Sequence, residues 1–549
     1  MMLFQMRIHT FQRRYAKIRS RPFLYVLLVL MSVGVGFVAC GASNPHVNLS
    51  TGKTYYVSKN GNGSDGKSWA TAWNELAKIN WSVVQPGDTI LLDGGAQSMT
   101  YTTTLTIGKS GTQAAPITIK RSTDSGHNGT VILFGGRSTP LPYCGEPSYS
   151  YRAASVANGV VFGSHSWVVI DGMNWDGIQI HGFSTYGVDM TGGPSNDTLR
   201  NMEIYDIGEA SQGGNGGNWN PETNGHGIYL TGTNLTFSQM NIHDNSDDEF
   251  NTGEAPGIHN VTINYSWLHV TREDPRETGL PFNECVHQDG YQIYDGGVQS
   301  DLLIENSILG PGMSTGVILG QSPGRATVNN VTIRNSLLLN KHINIMGYPQ
   351  VQETGWVIDH DTVFTPGQGI AGGTFQSLFL QGSGNTVKDS IFYDGGIYLP
   401  DGLAGASGNC EWKTTGDNSA LGGQMVDPQF TTDVSSYNES TPLATIANAD
   451  FTLKPGSPCA GKGSTITSLK RFLQIVGQAN TAASTPAPTQ NPATIIMTEP
   501  TNNATEQHTT PPADTHLFLW LGLAGGVFIG AIAVFLLFYR KWRQSRLIK

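Results

Sequence analysis

The chain has 549 residues, 38% of them hydrophobic and 13% charged, enough for a sizeable core, with a formal net charge of −10. That acidic balance excludes a nucleic-acid partner, which would require a basic face. Sixty-eight glycines mark a backbone that bends often.

Residues 1–21 carry Arg7, Arg13, Arg14, Lys17, Arg19 and Arg21, and an apolar run from Phe23 to Val38 follows. Basic residues ahead of such a run form a secretory signal. Residues 1–40 are therefore a targeting segment, cleaved or kept as an anchor.

From Trp167 a phrase recurs: WVVIDGMNW, then NLTFSQMNI, NVTINYSWL, DLLIENSIL, NVTIRNSLL, GWVIDHDTV and NTVKDSIFY. Its central apolar residues are Ile170, Leu199, Phe237, Ile263, Ile304, Ile333, Ile358 and Val387, with gaps of 29, 38, 26, 41, 29, 25 and 29 residues. A period in the twenties is the mark of a solenoid, whose coils bury their apolar faces only by stacking. A second strand follows in each repeat: GVDM at Gly187, GIYL at Gly227, GYQI at Gly290, GVIL at Gly316 and GIYL at Gly396. HINI at His342 and SLFL at Ser377 fit with the glycine replaced. Asn and Ser in ENS and RNS are read as turn formers and internal ladders.

The two long gaps hold insertions, Gly208–Asn224 and Thr271–Gln288, which end just before a second strand and emerge on the same side. Long loops on a rigid scaffold are where function concentrates. The column before the second strand reads Tyr186, His226, Asp248, Asp289, Thr315, Lys341 and Gln376. Stacking would set His226, Asp248 and Asp289 about 4.8 Å apart in successive coils, with Lys341 roughly 10 Å beyond Asp289. Asp247 and His287 adjoin the stack. Tyr229, Asn251 and Gln292 point outward beside it as sugar contacts or ligands, and Trp219 in the first insertion is a possible stacking platform for sugar. His165, His181, His259 and His360 lie away from it and are read as structural.

Carboxylates packed this closely raise one another's pKa unless a cation or shared proton intervenes. Two outcomes are open. One is a Ca2+ site of oxygen ligands from Asp247, Asp248, Asp289 and Asn251. The other is an acid/base pair with one carboxyl protonated. In a lyase, His287 or Lys341 would abstract a proton, and Arg272 or Arg276 would hold a substrate carboxylate.

The repeats end near Ser468. Residues 478–515, rich in Thr, Pro, Ala and Asn, are read as a disordered stalk. Leu517–Tyr539 carries no charge over 23 residues, long enough to span a bilayer as a helix. The basic tail 540–549 belongs in the cytoplasm. The expected location is the cell membrane, with the body outside. Cys144, Cys285, Cys410 and Cys459 are then an even set in an oxidising compartment, with three possible pairings.

Several segments resemble known families. FVACGAS resembles a bacterial lipoprotein box, implying lipidation of Cys40, with Phe37 in place of the usual Leu. The repeats resemble the right-handed parallel β-helix of the pectin-lyase-like superfamily. TYYVSKNGNGSDGKSWATAWNEL and QPGDTILLDGG resemble the start of such proteins, and VDPQF with ADFTLKPGSPCAGKG resembles their close. The resemblance implies an all-β domain over residues 53–468, with an amphipathic helix at about Ser68–Ile79 capping its open end. NSDDEFN (Asn245–Asn251) is similar to the NSDDGFD run of a β-helix pectate-lyase family, which implies that Asp247 and Asp248 bind Ca2+. Here Asn251 replaces the family's last Asp, Glu249 replaces its Gly, and HQDGYQ (His287–Gln292) stands where its catalytic lysine is expected. The superfamily holds lyases, hydrolases, epimerases and adhesins. The expectation is a monomeric, surface-tethered protein acting on a polysaccharide, a lyase first. A two-carboxylate hydrolase and a non-catalytic glycan-binding module are the alternatives.

Overall fold

The computed structural model describes residues 52–142, 152–212, 219–221, 224–252, 257–272, 288–293, 297–319, 327–347, 352–366 and 376–483. The signal segment, the stalk from residue 484 on, Leu517–Tyr539 and the basic tail lie outside them. Among the described residues no helix is long and apolar enough to cross a membrane. The described residues all belong to one compact unit.

The main unit is a parallel β-helix with three walls. Two walls share one 23-stranded sheet, and the third is an 11-stranded sheet. In the first wall, Ile170, Leu199, Phe237, Ile263, Ile304, Ile333, Ile358 and Val387 pair in one continuous register. All eight are buried. Outward neighbours such as Thr236 and Thr262 are partly exposed, the alternation that a one-sided wall requires. Each fully buried Ile or Leu in this row contributes about 1.5–3 kcal/mol. The row also extends upstream through Tyr55, Ile90 and Ile119, coils that the recurring phrase does not reveal.

Bends between the first and second walls place one residue in the left-handed region: Asn201, Gln239, Tyr265, Asn306, Asn335, His360 and Asp389. Asn and Asp tolerate that conformation best. The residue that follows turns inward and forms a ladder. Ser307 Oγ accepts from Ser266 N–H (3.1 Å), Ser336 Oγ from Ser307 N–H (3.3 Å), and Ser390 Oγ from Asp361 N–H (3.0 Å). ENS and RNS are thus turns with an internal ladder.

Three features differ from the sequence expectation. The open end is not capped by a helix over Ser68–Ile79: only Leu76–Lys78 forms a 3-10 turn. Trp73 instead makes a parallel bridge to Val57 and stacks on Tyr55, so the apolar residues meant for a helix face continue the wall. Beyond the coils, a helix at Leu469–Ala483 runs past Ser468 into the stretch assigned to the stalk. The segment before it builds a second core. Phe430, Ile446, Phe451 and Phe472 cluster with Ile308, Leu337, Phe364 and Tyr393 of the second wall. Of the open cysteine pairings, Cys410–Cys459 forms, while Cys144 and Cys285 lie outside the described residues.

Candidate active site on the third wall

The third wall carries the acidic column. Tyr186 pairs with His226. Ile228 and Tyr229 pair with Phe250 and Asn251, and these pair with Tyr291 and Gln292, so His226, Asp248 and Asp289 hold one position in three successive coils. Backbone bonds fix them: Gly227 N–H donates to Asp248 O (3.0 Å) and Glu249 N–H to Asp289 O (2.8 Å). Asp289 then pairs with Thr315.

Side chains divide this column into two groups. In one, ligand atoms of His226, Asp247 and Asp248 all lie within 4.8 Å of one another. His226 Nδ1 is 3.8 Å from Asp247 Oδ2 and 3.9 Å from Asp248 Oδ2, too far for direct hydrogen bonds. In the other, amides tie the acids. Asn251 Nδ2 donates to Asp248 Oδ2 (2.5 Å) and Gln292 Oε1 (3.1 Å), Gln292 Nε2 donates to Asp289 Oδ2 (3.2 Å), and Asp289 N–H donates to Asp248 Oδ1 (3.1 Å). Tyr186 and Tyr229 flank the first group, with ring centroids 5.8 and 5.5 Å from His226 and 4.8 Å from each other. Burial, then the nearby Tyr229 and Asp189, push the Tyr186 phenol up, so it stays a neutral donor.

Of the expected calcium ligands, Asp247 and Asp248 converge, together with His226. Asn251 turns its amide nitrogen, not its oxygen, toward Asp248, and Asp289 is outside the convergent group. What converges is one imidazole nitrogen and two carboxylates, whereas calcium takes oxygen ligands. A divalent cation fits this donor set; the all-oxygen cage does not.

Lys341 does not belong to the column. Thr315 pairs with Ile343, and Ile343 with Gln376. The glycine slot falls on Asn344 rather than His342, because Asn344 fills the bend: its Nδ2 donates to Asn340 O (3.2 Å) and Thr365 Oγ1 (2.8 Å). Arg272 is engaged elsewhere. Its guanidinium contacts Asp206 Oδ1 at 2.9 Å and donates to Leu141 O at 2.5 Å. His287 and Arg276 lie outside the described residues. Within the first insertion the backbone at Trp219–Pro221 pairs antiparallel with Ala210–Gln212.

Two features escaped the sequence reading. Glu249 takes the inward glycine slot, fully buried, with an amide hydrogen bond from Asn245; burial holds its carboxyl well above the usual range, as a neutral acid. The second is a network on the second wall. His243 Nδ1 meets Asp244 Oδ2 at 2.8 Å, and its Nε2 meets Glu203 Oε1 at 3.2 Å. Gln179 Nε2 donates to Glu203 Oε2 at 2.6 Å. Burial disfavours a charged imidazole, yet the bonds to Asp244 and Glu203 outweigh it and bring His243 up to about 10. Beside them, burial and then Glu203 push Asp176 up to about 7. The His181, Tyr205, His243 and His269 rings stack along this wall, with centroids 4.7, 5.2 and 4.7 Å apart. Only the alignment Ile204↔Ile242 could have revealed the network, since it places Glu203 beside Asn241 and Tyr205 beside His243.

No protein-family model matches the chain. In sequence it is 24% identical over 319 residues to pectate lyase L of Dickeya dadantii (strain 3937), covering 53% of this chain and 67% of that protein. Among solved structures it is similar to pectate lyase Pel9A, at 19% identity and TM-score 0.40, over 75% of this chain and 91% of the other. It is also similar to the GH136 lacto-N-biosidase from Eubacterium ramulus, at 15% identity and TM-score 0.37, over 68% of each chain. The three stacked walls make this a parallel β-helix, and in sequence the chain is similar to a pectate lyase.

Proposed function

We propose that the protein is a surface-tethered polysaccharide lyase that cleaves a uronic-acid-containing polymer by β-elimination. One observation carries the reading: His226, Asp248 and Asp289 occupy one position in three successive coils, where the two insertions return to the third wall. The sequence relative named a pectate lyase supports it.

In β-elimination a base takes the proton from the carbon bearing the uronate carboxylate. The electron pair becomes a carbon–carbon double bond, and the glycosidic oxygen leaves and is protonated. We assign proton abstraction to His287 and retention of the substrate carboxylate to Arg276, which share the second insertion. Tyr229, Gln292 and Trp219 are sugar contacts in this reading, and Tyr186 joins them as a neutral donor. Arg272, engaged by Asp206, braces the base of the insertion instead. A divalent cation, when bound at His226, Asp247 and Asp248, would offset the substrate carboxylate. No step is assigned to calcium. The signal segment with Cys40 and the span Leu517–Tyr539 supply the tether.

The test is incubation of the full chain, in detergent, with a panel of uronic-acid polysaccharides, following the ultraviolet absorbance of unsaturated ends. Their appearance supports the lyase. New reducing ends without unsaturation would instead indicate a hydrolase using Asp248 and Asp289. Binding without turnover on the whole panel would leave a glycan-binding module.

A further inference from the structure

On the third wall two buried acids share their surroundings with an imidazole, and the ligand atoms of the three lie within 4.8 Å of one another. His226, Asp247 and Asp248 are 8%, 7% and 0% exposed. The His226 Nδ1 separations of 3.8 and 3.9 Å exceed a hydrogen bond. They are within the span of two ligands sharing one ion at bonds of about 2.0–2.2 Å. The three ligands are also prearranged. Asp247 N–H donates to Gly225 O and Gly227 N–H to Asp248 O, each at 3.0 Å, so the two coils are locked on either side of the group.

We propose that this group binds a first-row divalent transition ion, of the Mn2+ to Zn2+ series, in preference to calcium. Imidazole nitrogen suits these ions, whereas calcium takes carboxylate, carbonyl and water oxygens. His226 is the residue that sets the preference. The selectivity shares its residues with the lyase reading but not its chemistry, and holds whether the chain is a lyase, a hydrolase or a binding module.

The experiment is isothermal titration of chelator-stripped, untagged full-length protein in detergent with Zn2+, Mn2+ and Ca2+ in turn, with thermal midpoints as a second readout. Zn2+ or Mn2+ should bind at one ion per chain, at least about tenfold more tightly than Ca2+. His226→Asp, which restores an all-oxygen set, should weaken Zn2+ about 10- to 100-fold and strengthen Ca2+. Asp247→Asn should weaken every ion and serves if the His226 variant misfolds. Tighter binding of Ca2+ to the parent chain, absence of binding, or Zn2+ affinity unchanged in both variants would overturn the proposal. The appearance of unsaturated polysaccharide ends is scored separately, so either idea can fail alone.

Discussion

Two imidazole–carboxylate groups lie on neighbouring walls of the same coils, built from the same residue types and arranged in opposite ways. On the second wall, His243 meets Asp244 and Glu203 at 2.8 and 3.2 Å, and Gln179 and Asn241 donate to Glu203 at 2.6 and 3.3 Å. On the third wall, His226 stands 3.8 and 3.9 Å from its two aspartates. The first group is closed, its imidazole and carboxylates joined by direct hydrogen bonds. In the second the imidazole and the two carboxylates converge, their ligand atoms all within 4.8 Å of one another, without bonding directly to each other. Residue type does not separate a structural network from a site; about one ångström of separation does.

The largest expected effect breaks the closed group. His243→Ala leaves buried Asp244 and partly buried Glu203 without the imidazolium between them and should cost about 3–5 kcal/mol in denaturant unfolding. His226→Ala, in metal-free protein, should cost less than about 1.5 kcal/mol. Equal losses would erase the distinction. The pH dependence sharpens it. The His243 value rises from 6.5 unfolded to about 10 folded, so its stabilisation is complete below 6.5 and is lost as pH rises through 10. Although burial alone would raise Asp244, its bonds to His243 hold it well below its unfolded 3.8; its contribution is present above 3.8 and is lost in acid. Unfolding free energies measured across alkaline pH should fall in the parent chain, and this fall should be absent in His243→Ala.

Next in size is Asp248→Asn. It keeps the shape of the side chain and an acceptor for Asp289 N–H, but removes the charge that faces His226. Release of unsaturated ends should drop about a hundredfold or more, with the thermal midpoint of the metal-free protein little changed. A parallel loss of folding and activity would make Asp248 one more member of a structural network, like Asp244.

How much of this was legible follows from how the coil encodes itself. The first wall repeats an apolar residue at the centre of a phrase bounded by Asn, Asp and Ser. Its register could be read because slippage by one residue would turn Ile263 or Ile304 out to solvent. His226, Asp248 and Asp289 were legible for the same reason, since Ile228, Phe250 and Tyr291 pin their strands from inside. Glu249 and the His243 network were not. A glycine slot filled by a neutral buried acid has no periodic signal, and Glu203 and His243 find each other only across coils 40 residues apart in sequence. The amide orientation of Asn251, which decides against an all-oxygen cage, is equally invisible in a string of letters.

The smallest expected effect comes from the one position where register reading slipped. HINI offers two alternating frames, one with His342 in the glycine slot and one with Asn344. The apolar pattern cannot choose, because Ile343 and Ile345 stand on both sides of Asn344. Hydrogen bonding chooses: Asn344 is fully buried and donates to Asn340 O and Thr365 Oγ1, bonds that only the bend position supplies. Ile345 then falls inward against Val317, and Lys341 falls two residues short of the column. That places the Lys341 backbone two coils beyond Asp289 and outside the row of acids. Lys341→Ala should therefore leave the rate of unsaturated-end release within about twofold of the parent, less than the factor of 10² or more expected when a general base is removed. A loss of that larger size would mean that His342, not Asn344, takes the bend when substrate is bound.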